Sequence, residues 1–143
     1  MKIATREILV LSAFVAVLWR GQALAQTSNP DLLAQAKKEG RVTWYTTVSI
    51  PESKQIIDIF EKQYSFIKVD LLRSGSGALV NRVVSEYAAR NYSADVLQGT
   101  STRGGFTLLK SKNILGRYES PEYKFLPPDL RDKAGYWGSM FQN

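Results

Sequence analysis

Gly40-Arg-Val-Thr-Trp-Tyr-Thr-Thr-Val-Ser-Ile-Pro51 is the stretch whose reading decides the fold. Its first residue ends a helix. Upstream, Asn29 is a natural N-cap, Pro30 suits the first helical position and Asp31 lies in the first turn. Leu32, Leu33 and Ala36 make a short apolar stripe, Lys37 and Lys38 match the negative end of the helix dipole, and Gly40 takes the left-handed stop. Arg41 to Thr46 then changes character: β-branched and aromatic residues crowd together and predict a strand. Thr47 to Pro51 is a polar loop into a second helix, with apolar positions Ile56, Ile57, Ile59, Phe60 and Tyr64.

The same alternation repeats downstream. Lys68 to Leu72 reads as a strand, Arg73-Ser-Gly-Ser-Gly77 as a small-residue loop, and Ala78 to Arg90 as a helix with Leu79, Val80, Val83, Val84 and Tyr87 apolar. Ala94 to Gln98 is a third strand, Gly99 to Thr102 a loop, and Arg103 to Lys112 a fourth helix. Helices alternating with strands in this way predict an α/β protein with a parallel, doubly wound sheet. Beyond Leu115 the pattern breaks. Pro121, Pro127 and Pro128 argue against a long helix or a central strand, and Ala134 to Phe141 is expected to begin another strand.

The first 25 residues read as a signal peptide. Lys2 and Arg6 form a positive start, and Ile8 to Trp19 is apolar except for Ser12. Ala23-Leu24-Ala25 supplies the small-residue pattern of a cleavage site, so the cut is expected after Ala25 and the product in the periplasm. An uncleaved anchor is the alternative, but the run is shorter than the roughly 20 residues a bilayer requires. Residues 26–143 then form one domain or part of one.

The 143 residues contain no cysteine and no histidine. Disulfides, thiolate metal sites, thiol nucleophiles and Ser-His-Asp triads are therefore excluded. Without Lys2, Arg6, Arg20 and Glu7, 16 basic residues face 12 acidic ones. They are interleaved, as in Arg131-Asp-Lys133, which is the pattern of a solvated surface rather than of a nucleic-acid interface. Glu52, Asp58 and Asp95 form no evident acid–base couple, and Asp95 suits a structural role at a strand start. No catalytic residue, metal ligand or cofactor is assigned.

Ligands of an open parallel sheet bind outside the carboxyl ends of its strands. Three loops belong at that edge: Thr46 to Pro51, Arg73 to Gly77, and Gly99 to Thr102. Each is rich in hydroxyl or glycine residues, and each precedes a helix whose first N–H groups favour anions or ligand oxygens. Capping explains any one such loop; three on one edge point to binding. Arg73 and Arg103 flank two of them. Gly75-Ser-Gly77-Ala-Leu-Val80 approaches the dinucleotide fingerprint, but Val80 replaces its third glycine.

Lys37-Lys-Glu-Gly-Arg-Val-Thr-Trp-Tyr-Thr46, Phe60-Glu-Lys-Gln-Tyr64, Ile67-Lys-Val69, Ser74-Gly-Ser-Gly77, Ala94-Asp-Val96 and Gly135-Tyr-Trp137 together resemble the substrate-binding proteins of bacterial ABC importers. The resemblance is to family 1 extracellular solute-binding proteins, in their ferric-ion-binding-type branch. It implies a two-lobed (type 2) periplasmic binding protein that hands its ligand to an inner-membrane permease, with residues 26–143 as an incomplete first lobe of impaired binding. It also implies ligand contacts at Thr46, Thr47, Ser49, Ser74, Gly75, Ser76, Thr100 and Ser101. Iron-binding members place a His and a Glu near the first loop, whereas this chain offers Glu52 and no His. A small anionic or polar solute therefore suits these loops better than bare ferric iron, with ferric iron or an iron complex as further candidates. A small periplasmic enzyme and an envelope interaction protein, docking through Tyr118 to Pro128, are the competing readings.

Overall fold

A computed structural model of the chain describes residues 30–99, 103–118 and 120–139. The signal-peptide reading, the proposed cap Asn29, the site residues Thr100 and Ser101, and Met140-Phe141 lie outside those residues. The elements follow as α1 (Pro30–Glu39), β1 (Arg41–Thr46), α2 (Ile50–Gln63), β2 (Lys68–Arg73), α3 (Ser76–Ala88), β3 (Val96–Gln98) and α4 (Arg103–Ser111). Gly40 ends α1 at φ 68°, where a side chain would be strained, and its N–H donates to the Ala36 carbonyl at 2.9 Å.

The three strands form one sheet in the order β2-β1-β3, with both pairings parallel. Thr46 is level with Arg73 on one side and Gln98 on the other, so all three strands finish at one edge. From β1 the chain moves one way to β2, then crosses back past β1 to reach β3. The connections from β1 to β2 and from β2 to β3 therefore run in opposite directions, which makes the β1–β3 boundary the switch point of a doubly wound sheet. At the opposite edge, the Asp95 carboxylate accepts the Thr43 N–H at 2.7 Å while the Asp95 N–H donates to the Thr43 carbonyl at 3.1 Å. That is the expected strand-start role.

Tyr45, Leu72 and Leu97 are register partners and so share one sheet face. They pack with Leu79 and Val83 of α3 and Leu109 of α4 into the main core. No described member of that cluster comes from α2. Right-handed crossovers place α2 on the other face, over Trp44 and Leu71. There the packing differs from the sequence expectation. Ser53 is the buried residue of α2, Ile57, Phe60 and Tyr64 are half-buried along its stripe, and Ile56 and Ile59 are 51% and 69% exposed. The apolar positions of α2 therefore extend beyond the face it buries.

Helix starts also shift. Ser49, not Pro51, leads into α2, and α3 takes in Ser76 and Gly77, which the sequence pattern places in the preceding loop. The third strand covers Val96–Gln98 rather than beginning at Ala94. Two short 3₁₀ turns, Pro121–Phe125 and Pro128–Leu130, occupy the proline-rich segment. The strand expected from Ala134 reduces, among the described residues, to one antiparallel bridge between Arg131 and Gly138. No described helix is long and apolar enough to cross a membrane.

Candidate functional site

The carboxyl edge of the sheet is built around Thr46. Its side chain is fully buried, its oxygen accepts the Val48 N–H at 3.1 Å, and its hydroxyl donates to Gln98 Oε1. Its carbonyl accepts the Ser74 N–H at 3.0 Å, extending the β1–β2 ladder into the next turn. One residue thereby ties together the three turns' starting points.

The turn after β1 divides by role. Thr47 Oγ1 is buried without a hydrogen-bond partner, and so is Oγ of the fully buried Ser53 one turn into α2. Native proteins seldom leave such groups unpaired. Ser49 is the N-cap of α2: its Oγ accepts the Glu52 N–H at 3.5 Å and donates to Glu52 Oε2 at 2.7 Å. This variant of the capping box engages Ser49 and Glu52 with each other. Glu52, the carboxylate nearest this loop, is thus occupied locally.

The turn after β2 is left more open. Gly75 is the N-cap of α3 at φ −71° and ψ 152° and supplies no side-chain cap. A Cβ built at Gly75 or Gly77 meets no atom within 4 Å, so the space before this backbone is empty. The N–H groups of Gly77 and Ala78, in the first turn of α3, have no acceptor within the helix. Ser74 is half-buried, Ser76 is the first helical residue, and Arg73 stands exposed at the end of β2. Of the predicted contacts, the fold gathers Thr46, Thr47, Ser49, Ser74, Gly75 and Ser76 at one edge.

Gln98 is the residue that the loop-by-loop reading missed. It ends β3 beside Thr46, 52 positions away in sequence, and its carboxamide reaches the edge. Its signal in the sequence was its place as the last strand residue before Gly99. The donor set here is hydroxyl and amide. The described residues contain no grouping of three or more His, Cys, Asp or Glu side chains able to hold a metal ion. These residues alone do not fit bare ferric iron, which favours charged oxygen ligands.

Electrostatic shifts lie away from this edge. A hydrogen bond from Lys68 Nζ at 2.8 Å, helped by the Val69 N–H at 2.9 Å, holds the Glu61 carboxyl below its usual range. Lys110 at 2.7 Å does the same to Asp132, assisted by the Tyr136 and Ala134 amides. A separate concavity of about 450 Å³, lined by Tyr123, Arg131, Asp132 and Lys133 among others, includes none of the predicted site residues.

No family model matches this sequence, and no curated protein matches it. Solved structures do. Iron-bound HitA from Pseudomonas aeruginosa superposes with a TM-score of 0.58 at 23% identity, over 66% of this chain and 30% of that one. FutA (IdiA) of Trichodesmium, in complex with iron and citrate, gives 0.56 at 24% identity, over 69% of this chain and 30% of that one. The chain thus spans about 30% of the length of each. Over that span it has their fold, a parallel α/β layer.

Proposed function

We propose that this chain provides one wall of a solute-binding cleft, as part of the substrate-binding component of an ABC-type importer. The observation that carries the reading is the common edge where Thr46, Arg73 and Gln98 end three parallel strands and two helix-start turns open. The solute is small and anionic or polar, an iron complex included: the edge offers hydroxyls and N–H donors, and its nearby carboxylate Glu52 is engaged with Ser49. HitA carries iron and FutA carries iron with citrate, which favours a ligand of that chemistry here. Thr46, Thr47, Ser49, Ser74, Gly75, Ser76, Thr100 and Ser101 are the proposed contacts, Ser49 mainly through its helix cap. The protein works in the periplasm after cleavage behind Ala25, is not an enzyme, and delivers to an inner-membrane permease.

One wall buries less of a ligand than the roughly 70–90% a complete pocket covers, so binding by this chain is weak. A thermal-shift series with ferric citrate, citrate, sulfate and ferric chloride tests the reading, because a ligand that binds the folded state raises the melting temperature by mass action. Citrate or ferric citrate should raise it with increasing concentration, and ferric chloride alone should not. A flat response to all four at millimolar concentration removes the proposal.

A further inference from the structure

We infer that Gln98 is a specificity-determining residue of this edge, donating through its amide NH₂ to an anionic acceptor oxygen of the solute. The inference rests on the binding-edge reading above and narrows it to a class of ligand.

The orientation of the amide follows from Thr46. That side chain is fully buried, its oxygen already accepts the Val48 N–H, and its proton needs an acceptor in a place without solvent. Gln98 Oε1 takes that proton. If the amide were turned over, Nε2 would face the Thr46 oxygen and the buried hydroxyl proton would have no partner. The network thus fixes the oxygen inward and presents the NH₂ on the other side. Gln98 is half-exposed, and its Nε2 has no acceptor among the described residues.

Its position adds to the argument. Gln98 is the last residue of β3 and the register partner of Thr46, so it stands at the β1–β3 boundary, the switch point of the sheet. Groups two strands away on the same edge, at the end of β2 and the start of α3, are donors as well. Gly77 and Ala78 have N–H groups without helical acceptors, and the Arg73 guanidinium makes no ion pair among the described residues. A rim of donors without a disengaged carboxylate favours an oxyanion over a cation. Gln98 differs from the rest in being a side chain held in one orientation by a buried partner, which is how a site distinguishes acceptor from donor on its ligand.

The experiment is a ¹H–¹⁵N titration of the full chain with citrate, and in parallel with sulfate, reading the Gln98 side-chain NH₂ and the Gly77 and Ala78 backbone amides. Gln98→Glu assigns the NH₂ signal by its loss. It also keeps the acceptor for Thr46 while replacing the donors by a carboxylate oxygen. Citrate should move the NH₂ resonances together with the two backbone amides, and Gln98→Glu should weaken citrate binding about tenfold or more. Gln98→Met removes the donors without adding charge, and the Thr46 acceptor with them; it should also weaken binding, with ligand-free Gly77 and Ala78 amides unshifted from wild type to show the edge intact, and so separates donor loss from repulsion. If the wild-type backbone amides move while the Gln98 NH₂ does not, or Gln98→Met binds within twofold of wild type, the role of Gln98 is overturned and the edge survives. If neither citrate nor sulfate moves any of these resonances, the binding edge itself fails and Gln98 with it.

Discussion

Among the described residues Leu79, Leu109, Thr46 and Ser53 are the side chains hidden most completely from water, and of the two polar ones Thr46 belongs to the site edge. Its burial is tolerable because both its oxygen and its proton have partners. Leu79 and Leu109 face each other's helices over Tyr45, whose hydroxyl donates to Glu86 at 3.1 Å and whose ring lies under Arg82. Few side chains are buried in this core, so each contributes a large share of the stability. Leu79→Ala is expected to cost about 2–5 kcal/mol through lost burial and the cavity left behind, measured as a drop in the urea midpoint with an unchanged slope. At this scale the sequence was partly legible. Asp95 could be placed as structural from its neighbours, whereas the pairing of Thr46 with Gln98 depends on two strands meeting and had no local signature.

Each helix is legible in proportion to how local its determinants are. The end of α1 follows from Gly40; the Ser49–Glu52 cap that starts α2 acts just as locally, yet the loop read from the sequence runs on to Pro51. Ser49→Ala removes both halves of that reciprocal cap and is expected to destabilise by about 0.5–2 kcal/mol. Glu52→Gln keeps the backbone N–H that Ser49 Oγ caps and a side-chain oxygen to accept the Ser49 hydroxyl, so it should cost less. The pair of variants, compared by thermal unfolding, tests whether Ser49 acts as a cap. The face of α2 was less legible: periodicity offered five apolar positions, and the sheet covers the stripe through Ser53, Ile57, Phe60 and Tyr64. Ile56 and Ile59 lie off that band and remain in water.

Across the whole molecule, charge couples the elements. Glu61 joins α2 to β2 through Lys68 and the Val69 N–H, and Asp132 joins the C-terminal segment to α4 through Lys110. Both carboxyls are held below their usual range when folded, so each stabilises the fold above the pKa it has in the unfolded chain. That stabilisation is lost as the pH falls through the ordinary carboxylate range and on through the lower folded value. The urea midpoint should therefore decline on acidification below about pH 5, and Glu61→Gln combined with Asp132→Asn should flatten that decline. An acid limb as steep in the double variant as in the wild type assigns the effect to other groups.

By itself, the sequence determined the alternation of helix and strand and the parallel character of the sheet. Periodicity, caps and glycine stops act over a few residues, and a strand–helix–strand repeat leaves little topological freedom. The strand order β2-β1-β3 came only with the tertiary structure, as did the shared carboxyl edge and the seating of Gln98 against Thr46. These are contacts between segments tens of residues apart, chosen by which faces bury together rather than by any residue's neighbours in the chain.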